Sequence, residues 1–164
     1  MLRTAATEAP PDLECALYDA LGDLPHFNPD DAAGLVPPAV AELRAEVHRV
    51  DALVFCTPEY AGAMPGSLKN LLEWLIGDDD ARSIYQKPVA WINASPRGAT
   101  DAHDSLAKVL GYAHATILDE VNAEIPVTSS MIGSGGQIDV EDVRLQIRRV
   151  MATLRDWVCH RTRE

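Results

Sequence analysis

Apolar residues fall along this chain in two alternating rhythms. Val40, Leu43, Val47 and Val50 recur at helical spacing, as do Leu68, Leu71, Leu72 and Leu75, and then Leu106, Val109 and Leu110. A longer stripe runs through Val143, Ile147, Val150, Met151, Leu154, Trp157 and Val158, with Asp139 the expected N-cap. Between these lie short continuous apolar runs bounded by turn residues: Val54-Phe55-Cys56, Pro88 to Asn93, and Thr116 to Val121 with a short extension from Ile125 to Val127. Such runs predict strands covered on both faces. Leu13 to Tyr18 alternates apolar with polar and also predicts a strand, after a helix over Leu2 to Thr7 that Pro10-Pro11 stops. Residues 19–38 read as a Pro/Asp/Gly-rich connector and 77–87 as a charged loop in which Asp78-Asp79-Asp80 is solvated. Strands alternating with helices predict a parallel, doubly wound α/β sheet in one domain spanning 1–164, with no internal repeat.

The densest chemistry lies just after the strand at Val54. There Thr57-Pro58-Glu59-Tyr60-Ala61-Gly62-Ala63-Met64-Pro65-Gly66 combines two prolines, two glycines, an acid and an aromatic. It leads into a helix for which Ser67 is the expected N-cap and Gly77 the stop. In an open α/β sheet, ligands bind outside the carboxyl ends of the strands, so this loop is the first candidate site. Ala94-Ser95-Pro96-Arg97-Gly98, after the Pro88–Asn93 run, is the second.

Thr57-Pro58-Glu59-Tyr60-Ala61-Gly62 followed by Pro65-Gly66-Ser67-Leu68-Lys69-Asn70-Leu71-Leu72-Glu73-Trp74 resembles the NADPH-dependent FMN reductase family, the flavodoxin-like quinone, azo-dye and metal-ion reductases. Their pattern is T-P-E-Y-N-x-[GS]-x-P-G and then x-L-K-N-x-[IL]-[DE]-W, and a match of that length and order is specific. The resemblance implies a three-layer flavodoxin-like sheet. It also implies FMN as cofactor, NADPH or NADH as hydride donor, and hydride passing through flavin N5 to a quinone, azo compound or metal ion. On the same basis Pro58, Glu59, Tyr60, Ala61 and Gly62 border the isoalloxazine largely through their backbone, and Ser95, Arg97 and Gly98 lie near the other end of the ring. Ala61 stands where relatives commonly carry Asn, so a side-chain amide is lost there. Lys69, Asn70, Glu73 and Trp74 are implied to face a second subunit in a homodimer or homotetramer, the alternative being core packing with a solvated face. Flavin reduction needs no catalytic triad, because the cofactor carries the chemistry and the protein positions it.

Charge and cysteine usage narrow the setting. A net charge of −11 disfavours nucleic acid and anionic membrane surfaces as partners. There is no apolar run of about 18 residues to span a bilayer. The three cysteines, Cys15, Cys56 and Cys159, lack metal-ligand spacing, and Cys15 and Cys56 read as reduced core residues. A cytoplasmic protein is expected. Among the histidines, His26 is the one nearest the expected cofactor edge, with a surface role favoured.

One expected part is missing. Relatives open with a central strand and a G-S-x-R-x-x-S-x-N phosphate loop, whereas this chain starts in what reads as the following helix. A buried strand contributes about 6–12 kcal/mol through some four large apolar side chains, against a whole-domain stability of about 5–15 kcal/mol. Three explanations stand open: a start further upstream, closure of the gap by pairing Leu13–Tyr18 with the strand at Leu53, or a strand from another chain. The functional alternatives are a flavin-free interaction module, or a regulatory subunit whose acidic surface binds a basic partner.

Overall fold

Pro-Val-Ala-Trp-Ile-Asn, apolar on both faces, is the segment around which the sheet is built. In a computed structural model describing residues 1–32, 35–78 and 83–161, the helices are α1 (Leu2–Glu8), a four-residue α2 (Pro29–Ala32), α3 (Pro38–Arg49), α4 (Gly66–Ile76), α5 (Thr100–Tyr112) and α6 (Glu141–Arg161). The strands are β1 (Leu53–Phe55), β2 (Pro88–Asn93), β3 (Thr116–Ile117) and β4 (Ala123–Glu124). All pair in parallel with β2. Leu53 lies opposite Val89 and Phe55 opposite Trp91 on one side. Pro88 faces Thr116, and Ile92 faces Ala123, on the other.

Alternation along β2 divides the core in two. Val89 and Trp91 point toward α3, α4 and α5, joining Val40, Leu43, Leu72, Trp74, Leu106 and Leu110. Ala90 and Ile92 point the other way, joining Ala5 of α1 with Ile147, Met151 and Leu154 of α6. The result is the expected three-layer, flavodoxin-like α/β arrangement.

The expected strand over Thr116–Val121 is interrupted. Asp119 and Glu120 are exposed, and a turn at Leu118–Asn122 separates β3 from β4. The ladder survives because the Asn122 side-chain oxygen accepts the Trp91 N–H at 2.9 Å, where a backbone carbonyl would otherwise stand. Further along, Ile125 and Val127 donate to the carbonyls of Asn93 and Ala94.

Leu13–Tyr18 corrects a second expectation, since it forms no strand. Only Leu13 of the six is partly buried, and Cys15 is exposed, so Cys15 is not a core residue. β1 pairs with β2 alone among the described residues, so Leu13–Tyr18 does not close on it. The alternating pattern supplies side chains for a strand but not the neighbouring backbone ladder that one needs.

Helix ends differ from expectation too. Pro65, not Ser67, precedes α4, which begins at Gly66. Its fixed φ of −57° sets the helix entry. α6 begins at Glu141, and the Asp139 carboxylate instead fills the space beside Gly133 where a side chain would stand. Asp78 is not solvated, because it pairs with His48 at 2.6 Å; Asp79 and Asp80 lie outside the described residues.

The two outer layers are fastened differently. On the α4 side, Trp74 is fully buried and its Nε1–H donates to the Pro25 carbonyl at 2.9 Å. Asn70 Nδ2 donates to the same carbonyl, and Asn70 Oδ1 accepts the Phe27 N–H at 2.7 Å. Both residues therefore hold the connector within this chain, and fully buried Trp74 presents no surface to a second subunit. On the other side, Glu8 of α1 is 8% exposed and accepts from Nε of Arg144 at 2.7 Å and of Arg148 at 2.8 Å. Burial works against ionisation of Glu8, but the hydrogen bonds and charges of Arg148 and Arg144 outweigh it and hold the carboxyl below its ordinary range.

Candidate functional site

Both candidate loops leave the carboxyl ends of adjacent parallel strands. After β1, Thr57 is buried and its hydroxyl donates to the Pro58 carbonyl at 3.1 Å. The chain then emerges, and Pro58, Glu59, Tyr60, Ala61 and Gly62 are all exposed, with Tyr60 66% exposed. Tyr60 and Ala63 exchange backbone hydrogen bonds of 3.0 and 3.2 Å around Ala61 and Gly62, whose φ angles are 53° and 70°. Two successive positive φ values define a two-residue type I′ turn, the geometry for which Asn-Gly is the preferred pair. Ala61 is therefore a strained occupant of a position that a backbone-binding amide would suit.

The second loop is organised by the last residue of β2. Asn93 Oδ1 accepts the Ser95 N–H at 3.0 Å, and Asn93 Nδ2 donates to the Gly98 carbonyl. Ser95 Oγ accepts the Arg97 N–H at 3.2 Å, and the Ser95 carbonyl accepts the Gly98 N–H at 3.3 Å. Gly98 at φ 91° and Ala99 at φ 49° then turn the chain into α5. Arg97 is exposed and is the only cation in either loop.

Glu59 joins the two. Its Oε2 accepts the N–H of Ala102, in the first turn of α5, at 3.2 Å. A carboxylate there satisfies one of the free helix N–H donors and meets the positive end of the helix dipole. Asp101 of the same turn comes to 4.0 Å from where a Gly62 side chain would begin. Glu59 thus ties the Pro58–Gly62 loop to the first turn of α5, the helix into which the loop bearing Ser95, Arg97 and Gly98 leads.

Three residues absent from the sequence reading support these loops or the strand between them. Asn93 shapes the second loop, and an Asn at a strand end before Ser-Pro is a signal for such a side-chain turn. Asn122 has no local signal, because its partner is 31 residues away. His103 is 7% exposed, its ring centroid lies 6.2 Å from that of Trp91, and its Nδ1 stands 2.8 Å from the Ala99 carbonyl. A carbonyl only accepts, so Nδ1 is the donor in that contact. His103 Nε2 has no partner among the described side-chain atoms. His26 is exposed in the connector.

Cys56, at the end of β1, is half-buried. Burial pushes its thiol up, against smaller opposing effects of the amino terminus and a hydrogen bond with the Ala94 backbone. No metal-binding cluster of three His, Cys, Asp or Glu occurs among the described residues. The residues present suit a flavin: the turn backbones are exposed, positive-φ glycines stand in both loops, Tyr60 offers an aromatic face, and Arg97 supplies a cation for an anionic group.

Loops at the carboxyl ends of neighbouring parallel strands are where open α/β proteins hold their ligands. The chain belongs to the NADPH-dependent FMN reductase family, whose model matches residues 1–128. It is 30% identical over 159 residues to an NAD(P)H-dependent FMN reductase of Pseudomonas aeruginosa, covering 96% of this chain and 85% of that one. It is also 30% identical to an NADPH azoreductase of a Bacillus species, covering 94% and 86%. Among solved structures it superposes on FerB, a flavoenzyme NAD(P)H:acceptor oxidoreductase of Paracoccus denitrificans. That match has a TM-score of 0.82 at 26% identity and covers 96% of this chain and 86% of that one.

Proposed function

We propose that this chain is an FMN-dependent NAD(P)H oxidoreductase that delivers reducing equivalents to quinones, azo compounds or metal ions. The single observation that carries this reading is the Glu59–Ala102 hydrogen bond, which ties the loop after β1 to the helix that follows the loop after β2. Bound FMN would supply the redox chemistry, accepting hydride from NADPH or NADH and returning it to the acceptor. The protein's part is to bind and orient. Pro58 to Gly62 would border the ring through backbone groups, with Tyr60 beside its face. Ser95, Arg97 and Gly98 would border the other end, where Arg97 offsets negative charge in a strongly acidic protein. The relatives named above, and a quinone reductase of Pseudomonas putida that is 28% identical over 139 residues, support acceptors of the quinone and azo class.

The chain acts as a single domain in the cytoplasm, without nucleic acid or membrane partners. No described helix is long and apolar enough to cross a membrane. Association into a dimer or tetramer would use the solvent side of α4, where Lys69 and Glu73 pair at 2.6 Å and remain partly exposed. The decisive experiment is titration of the purified chain with FMN, followed by flavin fluorescence. Quenching at micromolar concentration, then NAD(P)H oxidation on adding benzoquinone, is the expected result. A folded chain that leaves flavin fluorescence unchanged overturns the proposal.

A further inference from the structure

The geometry points to the Glu59 side chain as a positioning group that couples the two loops through the first turn of α5, its carboxylate making no contact with the cofactor. The inference rests on the oxidoreductase reading for its functional meaning and on the structure alone for the coupling.

Four contacts converge on that turn. From the first loop, Glu59 Oε2 accepts the Ala102 N–H at 3.2 Å. The same loop comes near the turn again at Gly62, where an added Cβ would stand 4.0 Å from the Asp101 carboxylate. From within, the protonated Nδ1 of His103 donates to the Ala99 carbonyl at 2.8 Å and ties the turn to the residue where the second loop ends. From the sheet, Asn93 Nδ2 donates to the Gly98 carbonyl, one residue earlier. His103 is buried against Trp91 of β2, so the turn cannot slide on the sheet without disturbing the core. The second loop is thereby fixed to β2 by its own contacts. The first loop, after three-residue β1, is exposed throughout Pro58–Gly62, and Glu59 supplies its side-chain link to that fixed point. A carboxylate oxygen already given to a helix N–H is turned toward α5, so the residue sets the spacing between the loops.

The role separates cleanly from ligand contact by the choice of variant. Glu59→Ala removes the acceptor. Glu59→Gln keeps an oxygen for the Ala102 N–H and removes only the charge. In the flavin-free protein, hydrogen exchange across residues 95–103 is expected to accelerate about tenfold in Glu59→Ala and to stay within about threefold of the parent in Glu59→Gln. FMN titration should follow the same order, with Kd raised about tenfold in the alanine variant and largely rescued by glutamine. Unchanged exchange over 95–103 in Glu59→Ala overturns the coupling. A glutamine variant that loses FMN as fully as alanine, while its exchange stays normal, also overturns it, because the carboxylate would then be a ligand contact. Glu59 is exposed and lies outside both apolar cores, so both variants are expected to fold, with unchanged exchange in β2 as the check. If the parent chain binds no FMN, the oxidoreductase reading fails, and the exchange comparison still decides the coupling.

Discussion

β1 and β2 are neighbours in one sheet, yet they are held very differently. All six residues of β2 except Trp91 are buried, and both of its edges carry partners. β1 has three residues, each only half-buried, and pairs on one edge among the described residues. The composition of the two is similar, Leu-Val-Phe against Val-Ala-Trp-Ile, so intrinsic strand preference does not explain the contrast. Position does. A strand flanked on both sides spends all its backbone groups in ladders and both faces in core, whereas an edge strand does neither. The loops inherit this difference: the one after β2 is shaped by a buried Asn93, and the one after β1 leans on α5.

The contrast predicts its own mutational profile. Ile92→Ala, at a fully buried position of β2, should cost about 2–5 kcal/mol. Val54→Ala, half-buried in β1, should cost about 1 kcal/mol or less. Urea denaturation of both variants measures the gap, and equal losses would remove the distinction between the strands. Next comes the helical layer behind the sheet. Glu8→Gln releases α1 from Arg144 and Arg148, with an expected loss of about 2 kcal/mol. That figure lies between exposed and buried ion pairs because both arginines remain partly in water. Since the Glu8 carboxyl titrates below its usual value in the folded protein, its contribution is complete above the unfolded value of 4.5 and is lost as pH falls through the lower folded one. Melting curves of parent and variant should therefore converge in acid and separate toward neutral pH.

Asn122→Ala tests the second edge of β2. It leaves the Trp91 N–H without its acceptor, and a loss of about 1–2 kcal/mol is expected. Amide exchange at Trp91 should rise while that at Leu53–Phe55 is unaltered. The smallest effect runs the other way. Ala61→Gly relieves a positive φ of 53° and should stabilise the turn after β1 by about 0.5–1 kcal/mol, read as a higher melting temperature. Ala61→Asn should do the same and restore an amide at the candidate flavin edge.

Much of this was legible in the chain. Helical spacing located the faces of α3, α4 and α5, because burial on one side of a helix writes a 3.6-residue period into the sequence. Continuous apolar runs located β1 and β2. The loop residues from Pro58 to Gly62 were legible through their turn chemistry and their resemblance to a family. Leu13–Tyr18 misled because alternation records which side chains could be buried and says nothing about whether a partner's backbone is present. Trp74 misled in another way: its hydrogen bond and those of Asn70 go to Pro25 and Phe27, more than forty residues earlier, and no local pattern encodes that distance.

The sequence by itself determined the α/β class, the apolar faces and the two candidate loops, since each depends on residues close together in the chain. Only the tertiary structure decided how those loops meet. Glu59 finds Ala102, and Asn122 finds Trp91, through parallel crossovers that bring distant segments side by side. A hydrogen bond between segments depends on three-dimensional placement, which the spacing of either segment alone does not record.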